Sequence, residues 1–256
     1  MSVMARKLGT NGPVVSSLGL GAMGMSEVYG HADRTESIAT IHAALDAGLT
    51  LIDTGDFYGS GHNEMLIRDA LRGRDRAGVL ISVKFGALRD PAGGFGAFDG
   101  RPVSLKNSLA QTLKRLDTDY VDIYRPARLD PNVPIEETVG GIADMVKAGY
   151  VRYIGLSEVS AATIRKAHAV HPIVDLQIEY AIVKRSIEAT ILPTLRELGI
   201  GVTAYGFRAD SSAATGARTV RRKAMSVAPP RASKARTSIA ISHSSIRCAR
   251  SPQKKT

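Results

Sequence analysis

The stretch L51-I-D-T-G-D-F-Y-G59 runs two apolar residues straight into Asp53, Asp56 and Tyr58, with Gly55 and Gly59 between and after them. A second run, V79-L-I-S-V-K84, ends an apolar segment on Lys84. A lysine at the end of a buried strand is costly to desolvate unless an acid pairs with it. Asp53, at the end of the preceding strand, is its natural partner. A tyrosine on the loop beside such a pair is expected to have a depressed hydroxyl pKa and to serve as a general acid near neutral pH. The plainer alternative is a rim ion pair with Tyr58 packed on it. Ser157, Gln177 and Tyr205 end three later strands. Their hydroxyl, primary amide and aromatic face could together bind and stack on the carboxamide-bearing ring of a nicotinamide, though each alone is more often rim polarity.

These side chains need a frame that brings strand ends together. Residues 4–16 read as a hairpin around the turn Thr10-Asn11-Gly12-Pro13. SLGLGAM (17–23) follows as a short strand. RTESIATIHAALDAGL (34–49) has apolar residues spaced by three and four, with Thr35 as expected N-cap and Gly48 as stop. The alternation continues with strands at 50–54, 78–86, 121–126, 151–158, 174–180 and 200–206. Helices are expected at 63–73, 104–116 (capped by Ser104), 134–149 (Pro134 in its first turn), 161–170 and 186–199, the last kinked at Pro193.

The strands are continuously apolar, as in parallel sheets covered on both faces. Strict strand–helix repetition leaves two architectures, a doubly wound sheet or an eight-stranded (β/α)8 TIM barrel. SLGLGAMGM contains the spacing G-x-G-x-x-G, but about ten polar residues separate it from the first helix, so that helix cannot receive a pyrophosphate there. The expectation is therefore a barrel, preceded by the hairpin, over residues 1–206.

Charge divides the chain at the same place. Of the 34 Lys/Arg and 24 Asp/Glu, 12 and one lie in 207–256, leaving 22 and 23 for the rest. The formal charge of +10 thus belongs to the last 50 residues, where Ser, Ala, Arg and Lys fill 31 positions without apolar periodicity. Such a segment is expected to stay disordered, and a barrel ending after its seventh strand lacks its eighth. No apolar run approaches the roughly 18–20 residues that cross a bilayer, and the N-terminus has no signal-peptide core. With the single cysteine, Cys248, these features lead to the expectation of a cytoplasmic protein. No Cys/His spacing suggests a metal site.

D53-T-G-D-F-Y-G59, Lys84, V-D-I-Y124, G-Y-V-R-Y-I-G-L-S157-E and D-L-Q177-I-E-Y180 together resemble the aldo-keto reductase family. The resemblance covers residues 4–206. It implies a TIM barrel closed below by the hairpin, with NADPH bound at its top without a doubly wound domain, and hydride transfer to small aldehydes or ketones. It implies that Tyr58 protonates the carbonyl oxygen, Lys84 lowers the tyrosine pKa and Asp53 holds Lys84. Met23, Asp53, Ser157, Gln177 and Tyr205 fall where the family contacts the nicotinamide half of the cofactor.

Two departures stand out. Where the family carries a histidine, in a pattern like Y-x-x-H-R, this chain has Y124-R-P-A-R128, with Ala127 at the donor position. Losing one such donor costs of the order of 10²–10³ in rate, unless Arg125 or Arg128 substitutes. After Y205-G206 the family pattern gives way to an Arg/Ser/Ala/Pro-rich stretch, as a GC-rich gene read out of frame would produce. The alternative is a genuine basic tail with weak, salt-sensitive attraction for nucleic acid and no specific recognition. The chain is read as an oxidoreductase with impaired activity. The rival readings are a non-catalytic barrel that senses cofactor and a basic-tailed nucleic-acid binder.

Overall fold

The computed structural model describes residues 3–26 and 30–206. A short antiparallel hairpin, β1 (Ala5–Lys7) and β2 (Val14–Ser16), opens the chain. Then come β3 (Gly19–Gly21), α1 (Arg34–Asp46), β4 (Leu51–Gly55), α2 (His62–Leu71), β5 (Leu80–Phe85) and a small hairpin, β6 (Ala87–Arg89) with β7 (Phe95–Phe98). The regular alternation resumes with α3 (Pro102–Leu116), β8 (Val121–Pro126), α4 (Ile135–Lys147), β9 (Val151–Ser157), α5 (Ala161–Val170), β10 (Ile173–Glu179), α6 (Ile191–Leu198) and β11 (Gly201–Tyr205).

Seven strands form one parallel sheet in the order β11-β10-β9-β8-β5-β4-β3. Apart from the step across β6 and β7, spatial order follows chain order. The sheet curls, as the sequential order of a β/α barrel requires, and the helices cover its outer face. On α3, Leu105, Leu109, Thr112 and Leu116 recur at helical spacing and are buried. Ile135, Val139 and Ile142 do the same on α4. Fully burying each of the aliphatic side chains contributes about 1.5–3 kcal/mol. The opening hairpin packs at the amino ends of the strands: Leu8 and Val15 cluster with Ile123, and Thr10 N–H donates to Gly199 O at 2.7 Å. The expected bottom closure is present.

Several boundaries differ from the sequence reading. The N-cap of α1 is Asp33, whose carboxylate accepts the Glu36 N–H at 2.8 Å, and not Thr35. Ser104 lies inside α3, which starts at Pro102 because a proline at N1 forfeits no helical bond. The single kinked helix expected over 186–199 is a one-turn 3₁₀ segment, Ser186–Glu188, followed by α6, with Pro193 in the first turn, where its missing N–H costs nothing. The β6–β7 hairpin was not expected at all. The basic segment 207–256, with the readings attached to it, lies outside the described residues. Among the described residues no helix is long and apolar enough to cross a membrane, and no cluster of acidic, His or Cys side chains is placed to hold a metal.

Candidate functional site

The strand register explains how the expected residues meet. Asp53 on β4 is level with Gly21 on one side and Ser82 on the other. Gly55 is level with Lys84, and Lys84 with Arg125. Gln177 is level with Ser157. Asp53, Lys84, Ser157 and Gln177 lie toward the carboxyl ends of parallel strands, so their side chains gather at one rim of the sheet.

Asp53 is the hub. Its Oδ2 takes the ion pair with Lys84, while its Oδ1 accepts from Ser82 Oγ at 3.0 Å and from Gln177 Nε2 at 2.8 Å. Burial alone would raise this carboxyl. The Lys84 and Arg125 charges, with hydrogen bonds from Lys84 and Gln177, outweigh it and hold Asp53 below the usual carboxylate range. Burial pulls Lys84 below the usual ammonium range, and Asp53 opposes that pull without cancelling it.

Tyr58 follows β4 on a one-turn 3₁₀ segment, Tyr58–Gly61. Gly59 (φ 56°) and Ser60 (φ 52°) are both left-handed and swing the chain directly into α2. A Cβ on Gly59 would also lie 3.1 Å from the Ser26 Cβ, so the tight space and the left-handed φ both favour glycine there. The Tyr58 ring is buried, with Lys84 Nζ 5.3 Å from its centroid and Phe57 edge-on at 4.8 Å. Phe57 in turn meets Phe95 of β7, and Arg89 lies over that ring at 4.1 Å and donates to Phe57 O at 3.3 Å. The small hairpin therefore backs the tyrosine loop.

The expected depression of the Tyr58 hydroxyl is not what this arrangement produces. Burial and then the Asp53 charge push it well above its ordinary value, and Arg128 and Arg125 offset only part of the rise. Lys84 is spent on Asp53, so the pair presents the tyrosine with little net positive charge.

Other expected residues join the rim with different partners. Ser157, buried, receives Arg128 Nη1 at 3.5 Å. The Tyr205 hydroxyl donates to Glu158 at 2.6 Å, and burial with that carboxylate raises its pKa. Glu158, left-handed at φ 52°, also accepts the Glu179 N–H at 2.7 Å. Met23 begins the turn Met23–Ser26 after β3, beside Ala22, whose N–H donates to Asp53 O at 2.9 Å. Ala127 is buried, its N–H given to Phe85 O at 2.8 Å, and presents only a methyl group. Of the two arginines that could stand in for a donor there, Arg125 cannot. It is fully buried against Asp175. Arg128 bends back to Ala127 O at 2.7 Å. His62 is held on Ser26 at 3.0 Å.

Three residues escaped the sequence reading. Ser82, two residues before Lys84 and so on the same strand face, touches Asp53. Buried Asn63 donates to Ala22 O (2.7 Å) and Ser26 Oγ (2.8 Å) and accepts from Thr54 Oγ1 (2.7 Å), tying the Met23 turn to β4 and α2. Glu64, fully buried, pairs with Arg115. Strand parity could have flagged Ser82; nothing local marks the other two.

The rim can therefore offer a protonated phenol beside an ammonium–carboxylate pair. Nearby are a serine hydroxyl, an amide whose oxygen is uncommitted, and a tyrosine ring. A nicotinamide carboxamide needs one acceptor and one donor next to a flat face, and Gln177, Ser157 and Tyr205 are of the right kinds.

A sequence model of the aldo/keto reductase family matches residues 17–244. A Glycine max protein named probable aldo-keto reductase 1 is 44% identical over 202 residues, covering 78% of this chain and 58% of its own length. The chain thus spans little more than half of that relative. Among solved structures, the thermostable aldo-keto reductase Tm1743, in complex with the inhibitor epalrestat, has a TM-score of 0.71 at 33% identity over 79% of this chain and 72% of its own. AKR11C1 from Bacillus halodurans, in its holo form, gives 0.73 at 29% over 80% and 66%. Site motifs, sheet order and these likenesses agree, and the chain belongs to the aldo/keto reductase family of oxidoreductases.

Proposed function

We propose that this chain reduces small aldehydes or ketones with NADPH, with Tyr58 as proton donor and Lys84 and Asp53 as its electrostatic support. The observation that carries the reading is the Asp53–Lys84 pair beside the Tyr58 ring at the carboxyl rim of a parallel barrel sheet. When bound, the reduced nicotinamide supplies a hydride to the carbonyl carbon.

A hydroxyl raised by burial stays protonated at neutral pH, so Tyr58 enters the reaction as a donor. An alkoxide is a stronger base than a phenolate, so proton transfer to it remains downhill. Once the proton has left, the phenolate is a new negative charge, and Lys84, with its Nζ 5.3 Å from the ring centroid, is the cation beside it; Asp53 keeps Lys84 in place. Gln177 and Ser157 offer an acceptor and a hydroxyl for the carboxamide, and Met23 and Tyr205 flank the ring. Ala127 offers the substrate oxygen no hydrogen bond, which lowers the rate by about 10²–10³ relative to a site with a donor there. A cytoplasmic setting suits a chain whose single cysteine cannot pair internally.

The test is titration of the full chain with NADPH and NADH, followed by nicotinamide fluorescence, then a panel of small carbonyl compounds. Saturable NADPH binding with carbonyl-dependent oxidation is expected. Binding without turnover would favour the second reading, a cofactor-sensing barrel, for which the Ala127 methyl is the one supporting observation. No binding would remove both.

A further inference from the structure

One buried charge has no part in the scheme above. Arg125 is fully buried on β8, two residues before Ala127 and so on the same strand face, one layer deeper. Its guanidinium reaches past β9 to Asp175 on β10, Nη1 to Oδ2 at 3.1 Å, which only the concave side of the sheet permits. Nη1 also meets Leu156 O at 3.3 Å. Asp175 Oδ2 accepts from Thr203 Oγ1 at 2.6 Å. Between them β9 carries Gly155, where a Cβ would stand 2.6 Å from Asp175 Oδ1 and 3.1 Å from Arg125 Cζ. The sequence thus leaves room for the pair.

Stability does not explain it. Barrel interiors are packed with branched apolar residues, and a buried ion pair seldom improves on an apolar substitute of equal volume. This pair even leaves Arg125 Nε and Asp175 Oδ1 without partners.

The other arm of the guanidinium gives a reason. Nη2 donates to Ser82 Oγ at 2.9 Å, and Ser82 Oγ donates to Asp53 Oδ1 at 3.0 Å. Arginine has no acceptor, so Ser82 must accept from it, and the single hydroxyl proton is committed to Asp53. We infer that Arg125, clamped by Asp175, is a positioning residue that acts through Ser82 to fix Asp53 Oδ1, and thereby aims Oδ2 and Lys84 at Tyr58. The inference rests on the function proposed above for those three residues. The charged groups bearing on Asp53 are Lys84 and Arg125. Tyr58 is the neighbouring titratable hydroxyl, and Arg128 acts on Lys84 and Tyr58.

The test compares the full-length wild type with the double variant Arg125→Met/Asp175→Leu, which removes both charges at similar volume, and with Ser82→Ala, which cuts only the link. The first readout needs no turnover. It is the carboxyl ¹³C titration of Asp53 in aspartate-labelled protein, assigned with Asp53→Asn. Both variants should move the Asp53 midpoint upward. In the presence of NADPH both should lose about tenfold in kcat, the size of one hydrogen bond to a charged group, with the KM for the carbonyl unchanged. An unmoved Asp53 midpoint in both variants would overturn the inference, as would wild-type kcat in both when Tyr58→Phe is inactive. If Tyr58→Phe were as active as wild type, the proposed function would fail instead, while the titration would still decide the role of Arg125. Should the double variant not fold, Ser82→Ala alone decides.

Discussion

Replacing Asp56 by asparagine should make the protein more stable at alkaline pH. Asp56 directly follows β4, its N–H bonded to Lys84 O at 2.9 Å. Burial, and then the nearby Glu64 charge, raise its carboxyl from 3.8 to about 7, against the pull of Arg115 and of the Gly86 and Phe57 N–H groups. Glu64 cannot move away, because it is fully buried and held by Arg115, with its Oε1 lacking a partner. A carboxyl raised in the folded state keeps its proton from pH 3.8 to about 7 while the unfolded chain has released it. The stability that this proton supplies is complete below the unfolded value and is lost as pH rises through the folded one. At 1.36 kcal/mol per pH unit, the interval corresponds to a ceiling of about 4 kcal/mol. Asparagine never ionises, so Asp56→Asn should match wild type within about 1 kcal/mol near pH 4, its extra N–H₂ being the only new demand. Above pH 8 it should exceed wild type by about 2–4 kcal/mol. Urea unfolding followed by circular dichroism at pH 4, 5, 6, 7 and 8 measures the difference. Parallel pH slopes in the two proteins, or a variant weaker than wild type at pH 8, would refute the reasoning.

Gly155→Ala should destabilise by about 1–3 kcal/mol in a thermal melt, since its methyl group meets Asp175 and Arg125. Asn63→Ala should cost about 2–3 kcal/mol by the same measurement and weaken NADPH binding in a fluorescence titration, because it frees the Met23 turn from Thr54. Ala127→His should raise kcat by up to about 10²-fold in steady-state kinetics by supplying the missing donor.

Much of this could be read along the chain because local pattern and tertiary context agree. The strand at 121–126 and the helix at 161–170 fall where their apolar runs placed them. Lys84 found Asp53 because burying an unpaired ammonium leaves few options. Both expected caps failed: Asp33 replaces Thr35 because its carboxylate reaches the Glu36 N–H, and α3 starts at Pro102, ahead of Ser104. The β6–β7 hairpin was hidden because F95-G-A-F98 is short and glycine-bearing, and its packing comes from Phe57, which is distant in sequence. The Tyr58 pKa was misjudged for a related reason. Proximity to Lys84 was legible, but the depth of burial and the cancellation of Lys84 by Asp53 were not. Along the chain Arg125 reads as a substitute donor beside Ala127, and only strand parity and the curl of the sheet turn it inward onto Asp175.

The central claim, that Tyr58 with Lys84 and Asp53 performs carbonyl reduction, is tested most directly by carbonyl-dependent NADPH oxidation in wild type, Tyr58→Phe and Lys84→Met, with cofactor binding measured in parallel. The expected result is that all three bind NADPH while both variants lose at least about 10²-fold in kcat, as removal of a general acid or its electrostatic support requires. Undiminished turnover in Tyr58→Phe would contradict the claim.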